Sequence, residues 1–306
     1  MGIAETTRFA IARNREALAL AGAVLLSVAF LSGCATASAR LDDMEYRTEA
    51  ELPALHALAF DVDGATIYGQ ILQPSPLHGA NRPCAIICHG FAGFTRWDDV
   101  AHDLCRAGIA VIVPHHRGAW GSEGEYTVSG CIRDAEKLAA WAMSDGFAAK
   151  YGTAKDKVYI VGHSMGGNSA INAAARLAGV RGVVLLAPCE IGWLAGVKTK
   201  DEMTAFLTGE GLHVLKRRSD AAVIDDIYEN SEAMRFAKTA GALKDRKVFL
   251  ATGDYDTVVP PDPLDLFWQA LGGESDLHIR KNYRASHSLL GLRRTVAQDL
   301  AKFILD

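Results

Sequence analysis

The chain has 306 residues, 49% apolar and 22% charged, the proportions of an ordinary globular protein and not of a disordered or collagen-like one. A chain of this length buries a core without disulfide or metal staples. Its 32 Lys and Arg against 36 Asp and Glu give a net charge of −4, so no basic excess points to nucleic acid. Neither a C-x-x-C pair nor a His-x-x-x-His spacing points to zinc or another metal.

Residues 1–16 carry Arg8, Arg13 and Arg15, and residues 17–31 (ALALAGAVLLSVAFL) carry no charge. That run is short for a membrane span of about 20 residues, and a basic start followed by a short apolar run reads as an export signal. It ends in Leu31-Ser32-Gly33-Cys34, which resembles the lipobox of bacterial lipoproteins. The resemblance implies removal of residues 1–33, lipid on Cys34, and a place in the bacterial cell envelope. Ala35 after the cysteine resembles lipoproteins directed to the outer membrane. Two alternatives stay open on the residues alone. Ala35-Thr36-Ala37 and Ala37-Ser38-Ala39 also fit ordinary signal cleavage, and Met1-Gly2-Ile3-Ala4-Glu5-Thr6 fits a myristoylation pattern.

Residues 34–52 read as a polar tether and 53–306 as one folded domain. Residues 55–60 and 65–73 flank Asp61-Val62-Asp63-Gly64, a hairpin signal. The apolar runs 84–88 and 109–113 are predicted strands buried on both faces. Helices are predicted at 96–106, stopping at Gly108, and at 132–143. A strand at 157–161, a helix at 168–177 and a strand at 182–187 follow. Residues 189–244 break the rhythm, with only amphipathic fragments, and read as a mainly helical lid insertion. Strand 247–252, helix 264–271, strand 276–281 and helix 290–304 complete the pattern. Such alternation predicts a mostly parallel sheet with helices on both faces.

Cys84, Cys88, Cys105, Cys131 and Cys189 are odd in number, which forbids complete pairing. Cys84 and Cys88 lie four apart on one strand, about 13 Å, too far to bridge. Most of these cysteines read as small buried apolar residues.

Gly162-His163-Ser164-Met165-Gly166-Gly167 runs from a strand through a tight turn into a helix. A Ser at such a corner has a strained backbone, and glycine at its flanks avoids a clash. This stretch resembles the nucleophile elbow of the α/β-hydrolase fold, in the form common among esterases, monoglyceride-lipase-like and serine-aminopeptidase-like members. Three further matches in the family's chain order extend the resemblance over nearly all of residues 55–306. They are His89-Gly90-Phe91 after a strand, Gly253-Asp254-Tyr255-Asp256-Thr257-Val258-Val259-Pro260 after a late strand, and Ser286-His287-Ser288 before the last helix.

The resemblance implies Ser164 as nucleophile, His287 as its base, and Asp256 as the orienting acid, with Asp254 as rival. Backbone N–H groups of Phe91 and Met165 would receive the oxyanion. His89 and His163 read as structural. His115-His116 departs from the family's usual Asp there, and adjacent residues on an extended segment point apart, against a metal site.

No cofactor is expected, because triad chemistry needs none. The expected substrate is a small ester, or alternatively a short peptide bound through acidic residues such as Glu202, Glu210 and Asp225-Asp226. A binding protein on the same scaffold would carry a broken triad. Dehalogenase or epoxide-hydrolase chemistry is disfavoured, because those relatives use a carboxylate nucleophile where this chain has Ser164. The lid candidate carries Ile191, Trp193, Leu194, Val197, Met203, Phe206, Leu207, Leu212 and Leu215, best read as packing onto the core.

Overall fold

A computed structural model of the chain describes residues 41–306; the expected export signal over residues 1–33 and the expected lipidation site Cys34 lie outside the described residues. The Asp-Gly signal is realised as a hairpin. β1 (Ala54–Val62) and β2 (Ala65–Gln73) pair antiparallel and turn at Asp63 and Gly64, with φ of 52° and 81°. Positive φ at both central residues is what a tight two-residue hairpin requires, and Gly supplies the second at no steric cost.

Six more strands complete the sheet: β3 (Arg82–Cys88), β4 (Ala110–Pro114), β5 (Thr153–His163), β6 (Gly182–Leu186), β7 (Lys247–Gly253) and β8 (His278–Tyr283). Among the described residues the order is β1-β2-β4-β3-β5-β6-β7-β8, antiparallel at β1/β2 and β2/β4 and parallel from β4 to β8. The last strand sits two residues later than its apolar pattern predicts.

The central strands read as unbroken apolar runs because both faces are covered. Alternate residues go to opposite sides: Cys84, Ile86, Ile112, Val158, Ile160, Val183 and Leu250 join one core cluster. The intervening Tyr159 and Phe249 meet Phe303 on the other side, at ring separations of 6.3 and 5.4 Å. Phe303 belongs to the last helix, α10 (Arg293–Leu305), which packs with α1 (Asp98–Arg106). The opposite face carries α2 (Val128–Ala142) and α4 (Met165–Arg176), then α8 (Phe236–Leu243) and α9 (Asp262–Leu271). Helices on both faces of a mostly parallel sheet are as the alternation predicts.

Helix starts follow their caps more closely than their apolar stripes. The α2 helix begins four residues before the predicted Ile132, because the Thr127 hydroxyl accepts from the Gly130 N–H. A short helix between α2 and β5, α3 (Asp145–Tyr151), has no counterpart in the predicted elements. Its Ser144 cap and Gly152 stop are legible, but seven residues are too few to show a period.

Within the predicted insertion lie α5 (Ile191–Val197), α6 (Lys200–Gly209) and α7 (Asp220–Asn230), with short 3-10 turns at Leu212–Val214 and Ser231–Met234. Their apolar residues join a second cluster, beside the main core, together with Ala92, Tyr126, Val128, Ile132 and Met165. The α8 helix does not belong with them. Its Phe236, Ala240 and Leu243 sit in the main core with α4 and α9. The predicted boundary of 244 therefore runs about one helix too far. The predicted tether also runs too far, since residues 43–52 fall in the compact unit that extends to Asp306.

The five cysteines from Cys84 onward are free and buried. Burial pushes the thiols of Cys84, Cys88 and Cys189 up to about 12, so they stay protonated. No helix among the described residues is long and apolar enough to cross a membrane.

Candidate active site

The β5 strand ends at His163 and α4 begins at Met165, leaving Ser164 alone at the corner with φ 53° and ψ −120°. That backbone conformation is strained for a residue with a Cβ, by about 1–3 kcal/mol. Its neighbours hold it there. Ser164 N–H donates to Leu186 O at 3.0 Å, and Ser164 O accepts from Gly167 N–H and Cys189 N–H, both at 2.9 Å. The flanking glycines are sterically required. A Cβ on Gly162 would come within 2.1 Å of Gly166 O, and one on Gly166 within 2.1 Å of Cys88 O.

Met165 is the first residue of α4, so its N–H has no partner within the helix. Neither it nor the Phe91 N–H has a hydrogen bond among the described residues. Phe91 lies just after β3 and packs its ring edge-on against Tyr126. The loop that bears it is fixed by His89. Its Nδ1–H donates to Gly90 O at 2.8 Å and its Nε2 accepts from His116 N–H at 3.1 Å. Burial and the adjacent His116 push His89 well below the usual histidine range, which keeps the ring neutral as this bonding requires. His116 turns inward to His89 O, whereas His115 bonds Arg96 and Trp120 O. Among the described residues no cluster could hold a metal ion.

The loop after β7 presents Asp256. One carboxylate oxygen accepts from the Val258 and Val259 amides at 2.9 and 3.2 Å, and the other meets His287 Nδ1 at 2.8 Å. Burial works to raise this carboxyl, but the His287 hydrogen bond and charge, with the two amides, outweigh it and hold it below the ordinary carboxylate range. The rival Asp254 is exposed and its carboxylate has no partner among the described residues. With Nδ1 occupied by Asp256, Nε2 of His287 is the ring nitrogen left for chemistry. Ser164 and His287 line one cavity of about 190 Å³. No Ser164–His287 hydrogen bond occurs among the described residues, and such bonds often tighten only once substrate binds.

That cavity brings together Ser164, His287, Phe91 and Met165. It also holds Phe94, Phe206, Leu207 and Glu210, of which Phe94 carries no signal in spacing or composition. Phe206, Glu210 and Val258 are shared with an adjoining cavity of about 570 Å³ that Trp193, Leu194, Val197 and Lys198 help to line. Of the candidate lid residues, Ile191, Leu194, Met203, Leu207, Leu212 and Leu215 are buried and Val197 is exposed. A separate cleft of about 310 Å³, beside β1 and α1, contains none of the candidate site residues.

The sheet order, the strained serine and this loop arrangement are those of the α/β-hydrolase fold. Residues 79–208 match the family model described as Hydrolase_4, serine aminopeptidase, S33. Solved structures agree on the fold. An esterase of Pyrococcus furiosus is 16% identical at a TM-score of 0.59, covering 86% of this chain and 95% of that one. Est1E from Butyrivibrio proteoclasticus is 19% identical at 0.59, covering 81% and 97%. Brefeldin A esterase, a bacterial homologue of human hormone-sensitive lipase, is 19% identical at 0.59, covering 87% and 81%. The chain has the α/β-hydrolase fold, and its residues 79–208 match a model of that hydrolase family.

Proposed function

We propose that the protein is a serine hydrolase of small carboxylic esters. Ser164 attacks the ester carbonyl while His287 Nε2 takes its proton. Asp256 holds the imidazole by Nδ1 and stabilises its charged form. The oxyanion is received by the Met165 and Phe91 amides, each worth about 3 kcal/mol of transition-state stabilisation. His287 then returns the proton to the departing alkoxide, and water repeats the sequence on the acyl-enzyme to regenerate Ser164. The observation that carries this reading is that His287, bonded to Asp256 at 2.8 Å, shares a cavity with a serine on a strained corner.

One observation favours a second reading, cleavage of aminoacyl amides. Glu210 lines both cavities, and its carboxylate has no hydrogen bond or ion pair among the described residues. An unpartnered carboxylate there would suit a substrate ammonium. A panel of p-nitrophenyl esters against aminoacyl-anilides separates the two. The ester reading expects turnover of short acyl esters, lost in Ser164→Ala and little changed by Glu210→Gln. Preferential anilide turnover that collapses in Glu210→Gln would replace it.

We also propose, from the order of basic, apolar and small residues ending in Cys34, that lipid on this cysteine holds the enzyme at the bacterial envelope. Cys34→Ala should release the protein from the membrane fraction or leave its precursor uncut. Unchanged fractionation and processing would remove the anchor.

A further inference from the structure

His163, the residue before the nucleophile, makes no hydrogen bond that serves the elbow itself. Its Nε2 bonds the main-chain carbonyl of His287 at 3.0 Å, so it is the donor, across 124 residues of sequence. Its ring lies between those of Trp97 and His287, with centroids 5.0 and 4.8 Å away. Nδ1 is buried and has no partner among the described residues. Burial first, then the neighbouring His287, push this imidazole down to about 3, so the ring is neutral and its one N–H sits on Nε2.

The run of tilted ring contacts continues to the last helix. The Arg293 guanidinium lies 4.4 Å over the Trp97 ring. The same side chain donates to Ser288 O at 3.1 Å and to Thr95 Oγ1 at 2.9 Å, and pairs with Asp99 at 3.3 Å. Arg293 therefore grips the loop that bears His287 and the loop that follows β3 at once. Asp256 fixes only the rotation of the imidazole, since it touches one ring nitrogen. The backbone beneath that ring needs a second constraint, and the fold supplies it through His163 and Arg293.

We propose that His163 is a positioning residue for the base, holding the His287 main chain by its Nε2–H bond, with Trp97 and Arg293 backing it. This rests on the serine-hydrolase reading above. Every hydrogen bond to the His287 side chain is left intact when His163 changes, so the proposal concerns placement and not proton transfer. A neutral aromatic ring against His287 also tolerates the imidazolium that forms during turnover, whereas a charged ring would repel it.

The test compares His163→Phe, which keeps the ring contacts and removes the donor, with His163→Gln, whose amide N–H reaches the same place. Each variant is first checked by thermal melting, then assayed with p-nitrophenyl butyrate and with a fluorophosphonate probe. His163→Phe should lose about 10- to 100-fold in kcat, the usual effect of a misplaced catalytic group, with KM within about twofold of wild type. The probe's acylation rate should fall in parallel, and His163→Gln should recover most of both. Wild-type kcat in folded His163→Phe, equal losses in the two variants, or a loss confined to KM would overturn the proposal. Should His163→Phe not fold, Arg293→Gln is read instead. It should cut kcat several-fold at unchanged KM, and wild-type kcat there would overturn the proposal. Absence of Ser164 labelling in the wild-type protein would instead sink the serine-hydrolase reading, a result distinct from any of these.

Discussion

Asp254 and Asp256 stand two residues apart in one loop, and their surroundings divide the work. Asp254 faces solvent, while Asp256 is pinned by two amides on one oxygen and aimed at His287 by the other. Asp256→Asn keeps the shape, but with its oxygen held by the two amides it turns an NH2 donor toward His287 Nδ1 and so favours the wrong imidazole tautomer. We expect kcat for esters to fall about 10³–10⁴-fold in Asp256→Asn and by less than about threefold in Asp254→Asn, measured with p-nitrophenyl butyrate. The reverse ranking would reassign the acid. In sequence the two were separable only through the family's Gly-x-x-Asp-x-x-x-Pro spacing. The amide bonds from Val258 and Val259 that make Asp256 the fitter residue follow from loop geometry, which composition does not encode.

At the scale of elements, the elbow depends on close approach between α4 and β3. A methyl on Gly166 would meet the carbonyl oxygens of Cys88 and His89 at 2.1 and 2.4 Å, both backbone atoms that cannot swing away. Gly166→Ala should therefore destabilise the fold by about 3 kcal/mol or leave it insoluble, read from the urea midpoint and soluble yield. An unchanged midpoint would mean that the helix can shift without cost.

The insertion is fastened by a different device. Glu190, at its start, is buried and accepts from Arg235 Nε at 2.8 Å and from the Phe236 amide at 3.1 Å, at its end. Burial outweighs these partners and raises the Glu190 carboxyl. Arg235→Met would strand a buried carboxylate and should cost about 3 kcal/mol by urea unfolding. No loss would mean that the Phe236 amide suffices. This clasp was not legible in sequence, because Glu190 and Arg235 lie 45 positions apart and neither belongs to a motif. The strands were legible because burial on both faces writes itself as uninterrupted apolar runs. The α3 helix and the true end of the insertion were not, since short helices give too few turns for a period.

For the whole molecule, three neutral buried histidines set the response to acid. Burial lowers His89, His116 to about 4 and His163 to about 3, all below the unfolded value near 6.5. Below that value the unfolded chain binds more protons than the folded one, so stability is lost as the pH is lowered. Their contribution is complete above about pH 6.5 and drains away toward pH 4 and 3, at about 1.4 kcal/mol per pH unit for each ring. Asp256, lowered in the fold, adds a loss of the same sign further down. Asp134 and Glu190, raised by burial, work in the opposite sense as they protonate. The urea midpoint should fall steadily from about pH 6.5 to about pH 5, and a flat profile there would mean that these rings are not held neutral.

The order Ser…Asp…His, read from the chain, is the one expected of this fold. It did not foretell the arrangement of His163, Trp97 and Arg293 behind the base, which arises from packing between segments far apart in sequence. The central claim is that Ser164 is the nucleophile. The most direct measurement is peptide mapping of a fluorophosphonate adduct by mass spectrometry. The account predicts a single adduct, on Ser164, absent in Ser164→Ala and in protein unfolded before exposure to the probe. An adduct on another residue, or equal labelling of wild type and Ser164→Ala, would contradict it.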